Sequence, residues 1–140
     1  MLIKRNLLRE AHVIRQQMRP LINGWKEGHD EEYPFKNGWL SPGNKSLSLS
    51  LLSRKGITVN TVHGNEKSIE NIIERFSPDV ESMEGAAFFY SCMMKNVSCI
   101  QIRVISNIVE RRNKDNWNIP LAIKNLNDFL PELFKTIEKN

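Results

Sequence analysis

From residue 56 onward the chain alternates short β-branched runs with segments of helical period, and that alternation restricts it to a layered α/β fold. GITVNTVH (56–63) is β-branched and ends at Gly64, which predicts a strand. NEKSIENIIERF (65–76) spaces Ile69, Ile72, Ile73 and Phe76 as one face of a helix. Pro78 stops that helix, and DVES (79–82) reads as a short extended piece. MEGAAFFYSCMMK (83–95) is apolar on nearly every side, the pattern of a helix buried all round. SCIQIRVIS (98–106) predicts a second full strand, with Ile100, Ile102 and Val104 on one face. WNIPLAIKNLNDFLPELFKTIEKN (117–140) predicts a closing amphipathic helix interrupted near Pro131.

The first third reads differently. Residues 2–18 put Leu7, Leu8, Ala11, Ile14 and Met18 at helical spacing among Lys and Arg, and Pro20 closes the pattern. A surface helix packed on a domain is the expectation. Residues 23–46 are dense in Gly, Pro, Asn and charge, which predicts a long loop. The sequence contains no apolar run near the roughly 18–20 residues that span a bilayer, and the N-terminus has no continuous apolar core of a secretory signal. A cytoplasmic protein is expected, acting without a membrane. The net charge of +4 is scattered, with RRNK (111–114) the one compact cluster, so no nucleic-acid partner is expected. Cys92 and Cys99 lie in apolar stretches, and His12, His29 and His63 are dispersed. That spacing predicts neither a metal site nor a disulfide framework.

Ligands of open α/β sheets bind beyond the carboxyl ends of the strands. Glu84 follows DVES, and Asn107 follows the strand ending in Ser106. Glu84 is the sharper signal, as the one charged residue from 82 to 94, set among Met83, Ala86, Ala87, Phe88 and Phe89. A carboxylate there needs compensation; a helix N-terminus supplies part of it. It serves either a ligand or its own fold, by capping its helix or pairing with Arg103. Glu81 is a weaker candidate, because alternation turns it to the other side of Ser82. Asn107 reads on its own as a turn residue; Ser106 either donates a hydrogen bond to a ligand or caps the turn that follows; His63 closes its strand, either approaching the pocket or, the stronger reading, as a turn residue without a role.

VESMEGAA (80–87) and RVISN (103–107) resemble the two signature segments of the nucleosidase branch of the purine nucleoside phosphorylase superfamily. ESMEGAAFFY, QIRVISNIVERRN, the W-x-IPLAI-x-NL run at 117–126, PFKNGWL (34–40) and GITVNTVHGNE (56–66) together resemble futalosine hydrolases of bacterial menaquinone synthesis. The resemblance implies a purine nucleoside phosphorylase-like α/β sheet with flanking helices, cleavage of an N-glycosidic bond by water, and no metal or organic cofactor. Carried over by position, Met83 and Glu84 would hold the ribose, Asn107 the base, and Ser106 would stand beside it as a further substrate contact. Where the family pattern has Asp, this chain has Asn107. An amide NH₂ can donate to both O6 and N7 of hypoxanthine, whereas an ionised carboxylate repels them, so the substitution favours 6-oxopurines such as the base of futalosine.

Nothing in residues 1–29 matches the family's first strands or its water-activating acid. The resemblance therefore implies a domain incomplete at its N-terminus, with 1–29 a divergent helical segment and 1–140 a partial nucleosidase domain. A homodimer is implied by the family alone. Two other readings stay open: another nucleosidase or a phosphorylase of the superfamily, and a module that binds purine nucleosides without turning them over.

Overall fold

The computed structural model describes residues 14–21, 32–42, 52–111 and 113–138. Among these residues five strands form one sheet in the order β2-β3-β1-β4-β5. They are β1 (Ile14–Leu21), β2 (Phe35–Lys36), β3 (Trp39–Leu40), β4 (Leu52–Val59) and β5 (Val80–Ser82). β1, β4 and β5 run parallel, in registers such as Arg19↔Ile57 and Ile57↔Glu81. Helices α1 (Glu66–Phe76), α2 (Gly85–Met94) and α3 (Ile119–Glu138) complete the order. This is a mixed α/β fold, consistent with a purine nucleoside phosphorylase-like sheet flanked by helices. No described helix is long and apolar enough to cross a membrane.

Alternation along β4 divides the core. Successive side chains of a strand face opposite sides of the sheet. Ile57 and Val59 pack with Val109 beneath Ile69, Ile72 and Ile73 of α1. Thr58, between them, faces the other way and accepts a hydrogen bond from the Ala86 backbone N–H of α2 at 2.8 Å. On that second face Leu40, Ala86, Phe89 and Cys99 form a separate cluster, flanked by Phe35, Tyr90, Cys92 and Met93. Burial, with Cys92 as its hydrogen-bonding neighbour, pushes the Cys99 thiol up to about 11, so it stays protonated and unreactive at neutral pH.

Several expectations need correction, beginning with the strand expected over 56–63, which starts earlier, at Leu52, and ends at Val59. Residues 14–18 were expected to end a helix, yet they belong to β1; residues 2–13 lie outside the described residues. Arg, Gln and Met are good helix formers, but their propensities are worth only tenths of a kcal/mol each, and pairing with β4 along eight residues overrides them. Pro20 helps by forcing Arg19 toward extended backbone. It lies two residues past the Met18↔Leu40 rung with β3, where no ladder among the described residues runs along that edge of β1. The expected loop contains the hairpin β2–β3. Asn37 and Gly38 both have positive φ, 50° and 71°, as a tight two-residue hairpin turn requires. A Cβ on Gly38 would also meet the Arg19 guanidinium at 2.2 Å, and that guanidinium donates to the Asn37 carbonyl at 2.8 Å.

The strand expected over 98–106 forms no ladder among the described residues. Its alternation is present, but Cys99 and Gln101 are the buried set, and Ile100, Ile102 and Val104 are half-buried. Side-chain bonds hold this stretch instead, as Gln101 Nε2 donates to the Gly85 carbonyl. Lastly, α3 runs unbroken through Pro131. Pro131 and Asn127 are both exposed, so water can serve the carbonyl that loses its donor.

The helices α1 and α2 answer the sequence in different degrees. Asn65 caps α1, its side chain accepting from the Lys67 and Ser68 N–H groups, and the apolar stripe faces the sheet as expected. α2 buries only Gly85, Ala86 and Phe89, while Met83 and Phe88 are 50% and 45% exposed. Its start hangs on Thr58. Thr58→Val keeps the shape but strands a buried donor, and is expected to cost about 1–3 kcal/mol. Urea denaturation measures it; a loss under about 0.5 kcal/mol would contradict this role.

Candidate functional site

The parallel strands β4 and β5 end at the same edge of the sheet, with Thr58 opposite Ser82. A cleft of about 490 Å³ opens at that edge, lined by Thr61–Asn65, Ser68, Asn107, Ile108, Glu110, Asn113 and Trp117. Its volume falls in the range of small-molecule sites, and its place follows the rule for open α/β sheets. The segment Met83–Glu84 leaves the end of β5, beside the loop that leaves β4.

Asn107 is the predicted residue that lines this cleft. It is only 5% exposed. Its Oδ1 accepts from the Ser106 hydroxyl at 2.8 Å, and its Nδ2 donates to the Ile108 carbonyl at 3.0 Å. These two bonds fix which end of the amide is which. They also leave one N–H for a ligand, where the sequence reading counted two. Ser106 spends its hydroxyl on Asn107, and its carbonyl accepts from the Asn118 N–H at 2.8 Å. It stands behind Asn107 rather than on the cleft lining.

Glu84 and Met83 are exposed and do not line the cleft. Glu84 is the residue preceding the first turn of α2, and its side chain makes no capping bond; Thr58 does that work. Capping is thereby removed as the reason for a carboxylate here. Arg103 stands close to it. Both its Nε and Nη2 donate to Gln101 Oε1, at 3.2 and 2.9 Å. Burial pulls the Arg103 guanidinium below its ordinary value, and the Glu84 carboxylate pulls the other way. Gln101 thus ties Arg103 to Gly85, which keeps a cation beside Glu84. Two residues before Glu84, the Ser82 hydroxyl is buried with no hydrogen-bond partner among the described residues, a costly condition.

A feature of the cleft that sequence reasoning missed is the pair His63–Glu81. Glu81 points away from Ser82, as alternation requires, but the side it reaches is the cleft side. Its buried carboxylate accepts from the His63 backbone N–H at 2.9 Å through Oε1, and Oε2 bonds the ring at Nδ1. The available signal was an acid inside a strand and a histidine just past a neighbouring strand's end. Glu110 also reaches the lining and accepts from Asn116 Nδ2 at 2.8 Å. Trp117 supplies an apolar wall. Among the described residues, no group of three or more His, Cys, Asp or Glu is placed to hold a metal ion.

With this geometry in hand, curated proteins give two similarities. One is the futalosine hydrolase of Acidothermus cellulolyticus, 35% identical over 71 residues, which are 50% of this chain and 29% of that protein. The other is the futalosine hydrolase of Thermus thermophilus, 29% identical over 84 residues, 60% of this chain and 37% of that protein. These similarities support a nucleosidase-like family. The chain spans about a third of the length of these curated relatives. No family model matches it, and no solved structure does.

Proposed function

We propose that this chain carries the nucleoside-gripping part of an N-glycosidic bond hydrolase for 6-oxopurine nucleosides, of the futalosine hydrolase type. The observation that carries the reading is Asn107: a buried amide, oriented by Ser106 and Ile108, on the lining of a cleft at the carboxyl end of a parallel sheet. The similarity to two futalosine hydrolases supports the same chemistry.

In this reading the remaining Asn107 N–H donates to the 6-oxo edge of the purine, and Trp117 offers a flat apolar wall for the rings. Ser106 is a positioning residue. Glu84, exposed at the same sheet edge and free of a capping duty, accepts from the ribose hydroxyls, and Met83 packs against the sugar. As the bond from C1′ to the base nitrogen breaks, its electron pair stays with the base and the sugar becomes cationic; a water oxygen then bonds to C1′ and its proton passes to the departing base. The Asn107 donor steadies the first charge and the Glu84 carboxylate the second.

The test is the full chain incubated with futalosine, inosine and methylthioadenosine, with free base and binding both followed. Binding of futalosine and inosine in preference to methylthioadenosine is the expected result, and any hypoxanthine released from futalosine should need no phosphate. Release that depends on phosphate would make it a phosphorylase, release of adenine instead would overturn the 6-oxopurine assignment, and binding without release would leave a nucleoside-binding module. No binding of any of the three contradicts the proposal.

A further inference from the structure

We infer that His63 reads the N1 position of the purine, and that buried Glu81 sets what it reads by fixing the ring's tautomer. The inference rests on the nucleoside reading above and deepens it. An ionised carboxylate only accepts hydrogen bonds. Both oxygens of Glu81 face His63: Oε1 takes the backbone N–H at 2.9 Å and Oε2 takes Nδ1. The ring hydrogen of a neutral His63 is therefore held on Nδ1, and Nε2 is left as a lone pair. His63 lines the cleft together with Asn107.

The two residues line the same cleft and offer it groups of opposite kinds, one N–H from Asn107 and one lone pair from His63. A 6-oxopurine presents the complement on one edge, the O6 acceptor next to the N1–H donor. Adenine presents the reverse, an amino group next to a bare N1, and meets like against like at both positions. A site built on such a pattern rejects the mismatched base strongly, because its own buried groups lose their partners. Since one Asn107 N–H is occupied by Ile108, the amide does not read the base edge alone. His63 is the specificity-determining residue for N1; Glu81 is the positioning residue behind it.

Glu81→Gln gives a test that a merely structural role would not move. The His63 backbone N–H demands an oxygen, so the new amide keeps its oxygen there and turns its NH₂ toward Nδ1. The ring hydrogen must then move to Nε2, and the cleft faces a donor instead of a lone pair. Dissociation constants for inosine and adenosine are measured on the full chain, together with the ¹⁵N shifts of the His63 ring. The parent chain is expected to prefer inosine at least tenfold, with hydrogen on Nδ1. Glu81→Gln is expected to exchange the two nitrogen signals and to erase or reverse the preference. His63→Asn keeps a group against Glu81 but removes Nε2, and is expected to lower the preference at least threefold, leaving what the Asn107 N–H reads at O6; it decides the matter if Glu81→Gln does not fold. An unchanged preference in His63→Asn, or hydrogen on Nε2 in the parent chain, overturns the inference while leaving the nucleoside reading intact. A parent chain that binds neither nucleoside removes both.

Discussion

Glu84→Ala is expected to weaken nucleoside binding about 100-fold while leaving the fold unharmed. Two charge-assisted hydrogen bonds to vicinal ribose hydroxyls, each worth about 1.5 kcal/mol at an exposed carboxylate, account for a loss of that order. Stability should fall by no more than about 1 kcal/mol, because Glu84 is exposed and makes no capping bond to α2, and the Arg103 beside it stays tied to Gln101. The split between the two readouts is the informative part. If the carboxylate were structural, stability would fall and binding would follow it. Calorimetric titration with inosine against free hypoxanthine checks the assignment, since the free base lacks the sugar and its affinity should not change. An equal loss for both ligands would place Glu84 on the wrong part of the substrate.

Phe89→Ala should have the largest effect on stability, a loss of about 3–5 kcal/mol. Phe89 is 1% exposed and sits among Leu40, Ala86 and Cys99 at the centre of the α2 face. Domains of this kind are stable by only about 5–15 kcal/mol, so the variant loses a large share of its margin. Its neighbour Phe88 is 45% exposed, and Phe88→Ala should cost under about 1 kcal/mol. Urea denaturation of both variants gives the comparison. Equal costs would mean that the face of α2 assigned to the core is wrong.

The two phenylalanines show what the sequence conveys and where it stops. An apolar run such as MEGAAFFYSCMM announces a helix with much to bury, but its uniformity hides which side is buried. Only contact with β1, β3 and β4 chooses the face of Ala86 and Phe89. α1 was legible to within one residue, because its isoleucines mark one stripe and Asn65 caps it. β1 was not legible: IRQQMRPL carries no β-branched alternation, and its strand state comes from a partner strand more than 30 residues away. The hairpin at Asn37–Gly38 left a recognisable turn signal inside a segment read as loop, since the strands beside it are two residues each.

The site divides along the same line. Glu84 stands out locally, as a lone charge in apolar surroundings, whereas Asn107 reads on its own as a turn residue and becomes a candidate only through the resemblance. Their support does not show locally. Ser106 bonding Asn107, Thr58 relieving Glu84 of a cap, and Gln101 tethering Arg103 are side-chain choices made in three dimensions. The pairing of His63 with Glu81 depends on parallel register between β4 and β5, which places an acid beside the loop that leaves its neighbour. Alternation gave the right side for Glu81, but only the cleft shows that this side has something to bind.

The most direct test of the account is to ask whether one nucleoside touches Asn107 and Glu84 at once. The side-chain amide of Asn107 and the methylene groups of Glu84 are followed by NMR in the full chain during titration with inosine, hypoxanthine and ribose. The account predicts that inosine shifts both sets of signals, hypoxanthine the Asn107 amide alone, and ribose at high concentration the Glu84 signals alone. Inosine that shifts the Asn107 amide and leaves Glu84 untouched, or leaves both unmoved at saturation, would contradict it.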